Sequence, residues 1–145
     1  MATFTYDSKQ HFLTIDGFPI QGFQDGSEIT IEFDEDAVSR QVDVDGRNVV
    51  FNRTNNYLAT VTFTLNEGAA ANDFLTGIYK DFREGNGGIV PLFFKDNNGR
   101  SLAQTDGCTV QSMPSLGGGR ESSGREWVIG TAQLEMFVGG AEAAI

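Results

Sequence analysis

Between Tyr57 and Gly85 the chain changes its hydrophobic period, and that change limits the folds open to it. Residues 60–65 alternate strictly, with Val61, Phe63 and Leu65 on one side and Thr60, Thr62 and Thr64 on the other. This is the period of a half-buried β-strand with a uniform threonine face. Beyond it, Phe74, Ile78 and Phe82 recur four apart with Leu75 and Tyr79 beside them. They form one apolar stripe of an amphipathic helix over about residues 68–84. Asn66 is the expected N-cap, Glu67 suits the positive helix start, and Gly85 is the expected stop. No other segment reads as a helix. The expectation is a mainly β fold, a β-sandwich or barrel with one flanking α-helix, in a single domain over 1–145.

The remaining segments fit around that pair. Residues 3–15 read as two short strands, Phe4 and Tyr6 sharing one face and Leu13 and Ile15 another, with the turn at 7–10. Residues 16–27 hold three Gly and one Pro, which break regular pairing. Phe18, Ile20 and Phe23 are too apolar for a free loop and are expected to pack down. Residues 28–34 alternate again: Ile29, Ile31 and Phe33 toward a core, Glu28, Thr30, Glu32 and Asp34 away from it. Residues 34–50 predict a long projecting hairpin with Asp45-Gly46 at its tip. It includes Asp34, Glu35, Asp36, Val38, Arg40, Val42, Asp43, Val44, Asp45, Gly46 and Arg47. Only Val38, Val42 and Val44 are available there to bury, so the hairpin is expected to be ordered by a partner.

After the helix, residues 89–95 predict a strand in which Pro91 marks an edge or a bulge. A turn is expected at 96–99 and a short strand at 107–113, with Cys108 and Val110 on one side. Residues 114–126, rich in Gly and Ser, read as a loop. Residues 127–138 predict a last strand. Val128, Ala132, Leu134, Met136 and Val138 are expected on its core face and Thr131, Gln133 and Glu135 on its open face. The tail after Val138 is expected to be loose.

At 145 residues a single domain buries enough surface to fold without disulfides or metals. The single cysteine excludes an intramolecular disulfide framework, and Cys108 is expected to serve as a small buried hydrophobe. The opening Met-Ala-Thr-Phe-Thr-Tyr-Asp carries neither a basic nor an apolar run, so no secretory leader is expected and folding is expected in a reducing cytoplasm. No apolar run approaches the length of a helical membrane span. The net charge is −10, with acids outnumbering bases two to one. A nucleic-acid-gripping surface needs clustered cations, and here the basic residues are scattered.

Chemistry-bearing motifs are not found. His11, the only histidine, has no nucleophile or carboxylate cluster around it in sequence and reads as structural or exposed. Asp43, Asp45 and Gly46 match the middle of a calcium loop, but Gln41 and Asn52 stand where acidic ligands belong. The glycine-rich loop lacks a Lys-Ser/Thr pair and opens no helix. No cofactor, no metal and no enzymatic activity are expected. What recurs instead is a surface: three strands, at 28–34, 60–65 and 127–138, each bury one face and show threonine, amide and acid on the other.

The run from Thr14 to Phe18 and from Gly26 to Ala37, the Val42–Gly46 hairpin, the threonine-rich strand and the Asn72-Asp-Phe-Leu helix together resemble the tail tube proteins of tailed bacteriophages. The likeness is greatest to the short tube subunits of contractile tails, and it rests on element order over nearly the whole chain. The resemblance implies hexameric rings, closed by side-to-side sheet pairing and stacked into a tube. The hairpin would bridge rings, and the DNA would transit the channel without specific binding. It implies sheath, tape measure and tube-end proteins as partners, no membrane, and a place in the virion after assembly in the host cytoplasm. Glu28, Thr30, Glu32, Thr60, Thr62, Thr64, Thr131, Gln133 and Glu135 are the candidates for the channel wall. Two alternatives stay open: a monomeric β-sandwich binding module, which would show exposed aromatics such as Trp127 and Phe137, and a bacterial secretion-tube subunit.

Overall fold

The computed structural model describes residues 11–23, 29–96, 101–118 and 124–139. The expected strand at residues 3–6, the turn at 7–10, Glu28, most of the turn at 96–99, the middle of the glycine loop and the tail lie outside them.

A mainly β architecture with one helix is observed. Strands β1 (His11–Ile15), β2 (Phe18–Pro19), β3 (Thr30–Phe33), β6 (Ala59–Asn66), β7 (Val90–Asp96), β8 (Leu102–Ser112), β9 (Gly124–Thr131) and β10 (Glu135–Phe137) form one antiparallel sheet. Its order is β2-β1-β7-β8-β9-β6-β3, and β10 pairs with β8. Among the described residues, strands β4 (Val38–Val42) and β5 (Val49–Arg53) pair only with each other. The large sheet curls into sandwich-like layers. Ile31 on β3 and Phe94 on β7, four strands apart in the pairing order, pack on the same small cluster of Ala59, Ala103 and Leu134.

Helix α1 (Ala71–Arg83) closes the core on the concave side. Ala71, Leu75 and Ile78 are buried with Leu13, Ile15, Val61, Phe63, Leu65, Leu92, Trp127 and Ile129. Of the expected helical stripe, Phe74 and Tyr79 pack against this core, but Phe82 lies at its rim, half exposed. Phe18 stacks on Phe74 at 4.4 Å, Phe23 meets Phe63 edge-on, and Ile20 is buried, so the 16–23 segment does pack down.

The helix start differs from expectation. The cap position is Ala70, which offers no side-chain hydrogen bond, so neither Asn66 nor Glu67 stands at the first turn. Asn72 instead ties the first turn back to the preceding connection, its amide donating to the carbonyls of Asn66 (2.9 Å) and Glu67 (3.3 Å). At the other end Gly85 is the stop, at φ +79°. The Asn86 N–H donates to Asp81 O and the Gly85 N–H to Phe82 O, the paired bonds of a Schellman motif.

One bulge, between β7 and β8, and one strand break explain the other departures. Pro91 sits in an interior strand, and the β7–β8 register shifts between Val90 and Leu92, so the proline marks a bulge and not an edge. Strand β8 is longer than expected because Asp106-Gly107 interrupts its alternation: Ala103 and Thr105 are buried, then Cys108 and Val110. The last strand also breaks, at 132–134. Before the break Trp127, Ile129 and Thr131 are buried; after it Leu134 is. Val128, expected in the core, therefore faces the other way. The glycine loop ends earlier than expected, because Arg125 and Glu126 already belong to β9.

Candidate functional site

Two of the three polar ribbons expected from the sequence, those on β3 and β6, come together, and β9 joins them with residues other than the expected ones. Strands β9, β6 and β3 are neighbours, and their registers put Thr30, Thr62 and Val128 in one row. Glu32, Thr60, Gly130 and Thr109 form the next row, and Thr64 stands beside Glu126. Paired residues share a face, and this one is opposite the buried Val61, Phe63, Leu65, Trp127 and Ile129. Among the described residues it carries acids, threonines, amides, a serine and one valine, with neither Lys, Arg nor an aromatic ring. A Cβ at Gly130 would lie 2.7 Å from the Gln111 Oε1, so the glycine leaves room for that amide across the strand. The Thr60 hydroxyl donates to Asp34 Oδ1 at 2.7 Å, tying the face to the acidic base of the hairpin.

Of the nine expected wall residues, Thr30, Glu32, Thr60, Thr62 and Thr64 share this face. Thr131 does not. It is buried, its hydroxyl donating to Ala59 O and accepting from Ala59 N–H, both at 3.1 Å. Gln133 and Glu135 lie past the break, on an open hollow of about 520 Å³ that they line with Gln104, Thr105, Asp106, Gly107 and Ala132. Thr109, Gln111 and Glu126 belong to the polar face and were missed. Thr109 and Gln111 stand on β8 opposite Cys108 and Val110 and could have been read from that alternation. Glu126 was hidden because the loop was expected to run to it, and the pair Trp127 and Ile129 was the signal for the phase of β9.

The hairpin stands where expected and runs to Arg53. Its tip is closed by Asp43 N–H to Asn48 O and Gly46 N–H to Asp43 O, with Gly46 at φ +71°. Val38 and Arg53, Arg40 and Phe51, and Val42 and Val49 are paired and so share one face; Ser39, Asn52, Gln41 and Val50 share the other. Every one of these ten residues is exposed.

Nothing resembling a catalytic site appears among the described residues. His11 Nε2 lies 3.4 Å from Asp96 Oδ1 across the β1–β7 pair, a structural contact. Cys108 is buried, and burial with the nearby Asp16 carboxylate pushes its thiol up to about 12. Trp127 is buried too, its Nε1 donating to Asn72 Oδ1 at 2.9 Å, so it offers no stacking surface for a sugar. The described residues hold no group of acids, His and Cys able to bind a metal.

No family model matches the chain. It is 30% identical over 124 residues to structural protein ORF10 of Pseudomonas phage KPP10, across 83% of this chain and 70% of that protein. The chain belongs to the family of phage structural protein ORF10. Solved structures share the fold at 11% identity. The sheath/tube terminator structure of the PVC extracellular contractile injection system gives a TM-score of 0.63 over 95% of this chain and 100% of the other. A chain of the native gene transfer agent virion gives 0.61 over 92% and 100%. The tube-terminating cap of the anti-feeding prophage gives 0.58 over 94% and 93%. The ORF10 family is one of structural proteins, and this member is a structural protein and not an enzyme.

Proposed function

We propose that the chain is a ring-forming tube subunit of a contractile phage tail, its polar sheet face turned to the channel through which DNA leaves. The observation that carries this reading is the continuous face of β9, β6 and β3. A duplex that must slide needs a wall that repels phosphate and offers it neither cationic clamps nor stacking rings. Glu32 and Glu126 supply the charge, and Thr30, Thr60, Thr62, Thr64 and Thr109 supply small, wet side chains. The short edge strand β3 is the natural place for the next copy's sheet to pair, which closes the ring and leaves no open edge. The hairpin bridges to a neighbouring ring. Sheath, tape measure and tube-end proteins are the further partners, and the finished assembly belongs to the virion.

Negative-stain microscopy of the purified full chain tests this directly. Hexameric rings or stacked tubes are expected; a chain that stays monomeric at every concentration overturns the reading. A second reading, a tube terminator, is favoured by the likeness to terminator structures. It predicts single rings that never stack. In the assembled particle, Glu32→Lys and Thr62→Lys are expected to leave rings intact and to slow DNA release.

A further inference from the structure

The outer face of the sheet changes character beyond the polar rows. Registers place Phe12, Lys95, Leu102 and Phe137 in one row, and Thr14, Phe93, Gln104 and Glu135 in the next. Phe12 is 50% exposed, Phe137 47% and Phe93 38%. Asp106 follows two residues after Gln104, and with Glu135 it puts two carboxylates on the hollow beside these rings. This is a surface of aromatic rings with acid at one end and a single lysine at the other.

The hairpin is its complement. Its one apolar face shows Val38, Val42, Val49 and Phe51 interleaved with Arg40 and Arg53. Residues 38–53 hold three of the chain's ten cations against two carboxylates, so this element is positive while the chain as a whole is at −10. The order of charges matches as well. From the Asp43 end of the tip to Arg40 is three residues, about 10 Å of strand. From Leu102, opposite Lys95, to Asp106 is four residues, about 13 Å. A hairpin laid tip-first over Lys95 brings Asp43 and Asp45 to the lysine, Phe51 to the phenylalanines and Arg40 and Arg53 to Glu135 and Asp106.

We infer that the outer face of β7, β8 and β10, built on Phe12, Phe93, Asp106 and Glu135, is the docking site for the β4–β5 hairpin of a second copy of this chain. The inference rests on the reading of the chain as a ring-forming subunit, and it assigns the surface on the receiving copy. The contact is head-to-tail and therefore propagates from copy to copy instead of closing on itself in pairs.

The test is a disulfide trap in the full chain. Phe51→Cys combined with Phe93→Cys, oxidised after assembly, is expected to give a ladder of covalent oligomers, and each single variant none. Cys108 is buried and stays out of the reaction. Independently, Arg40→Glu with Arg53→Glu is expected to raise the concentration needed for assembly about tenfold or more, and adding Asp106→Arg with Glu135→Arg to restore it. Normal rings or tubes without a ladder and without this charge dependence overturn the docking site and leave the tube reading standing. A chain that never assembles overturns both. A link between Phe4→Cys and Phe93→Cys within one chain would show the patch covered from within, and also overturns it.

Discussion

Asn72 joins three parts of the molecule through one amide. Its oxygen accepts from the buried Trp127 indole, and its nitrogen donates to two carbonyls of the β6–α1 connection. Removing it leaves a buried N–H without an acceptor. Asn72→Ala is therefore expected to lower stability by about 1–3 kcal/mol in denaturant unfolding. Asn72→Asp, which keeps the acceptor, is expected to cost less. Cys108 makes a second prediction. Burial, then Asp16, raises its thiol from 9.0 to about 12. The folded chain keeps a proton that the unfolded chain releases, so this contribution is whole below pH 9 and is lost as the pH climbs toward 12. The stability advantage of wild type over Cys108→Ala is expected to shrink across that window, measured by unfolding at matched pH. A thiol reagent at pH 8 is expected to leave the native protein unmodified. Cys108 was legible as a small core residue because Val110 alternates with it. Asn72 was not, since a polar residue in the first turn of a helix gives no sign of which distant ring it meets.

At the scale of elements, the clearest readings were those with an unbroken period. Val61, Phe63 and Leu65 against Thr60, Thr62 and Thr64 placed β6 and both its faces, and Asp45-Gly46 placed the hairpin tip. Asp16-Gly17 carried the same signal. It forms a two-residue turn with φ +54° and +75° between β1 and β2, and its dipeptide could have announced that hairpin. A bulge and a break defeated the rest. The extra residue at Asp106-Gly107 and the strand break at 132–134 each reverse the alternation across them, and a reading with one fixed phase through the break assigns Thr131 and Val128 to the wrong sides. The helix was found but begun too early, because its start is held by Asn72 reaching back and not by a capping side chain. Two glycines separate the roles of backbone and packing here. Gly77 lies mid-helix with open space where a Cβ would go, so Gly77→Ala is expected to raise stability by about 0.5–1 kcal/mol. Gly88 is at φ +89°, and a Cβ there would come within 2.6 Å of the Phe82 backbone nitrogen. Gly88→Ala is expected to cost about 1–3 kcal/mol. Thermal melts of the two variants check both signs.

Over the whole molecule, folding and assembly draw on different parts. The core is shared by the curled sheet and α1, while the hairpin, among the described residues, pairs with nothing but itself and exposes both faces. Ala37 O and Thr54 N–H are 2.9 Å apart, so a short turn can replace residues 38–53 without spreading the ends. That replacement is expected to leave the melting temperature nearly unchanged and to abolish polymerisation, read by light scattering; tubes that still form normally would count against the bridging role. The polar face was expected on these three strands of one sheet, and the residues on β3 and β6 stand on it, but which residues β9 contributes depends on a phase that alternation through a strand break does not encode. The lone tryptophan has a practical consequence. Its indole is sealed at the seam of α1 and β9, on the core face of the sheet and not on the outer face that shows the phenylalanines of β1 and β7. Its emission is thus a built-in optical gauge of whether the helix has seated, one that stays silent while subunits gather and lets maturation of the monomer be timed apart from growth of the polymer.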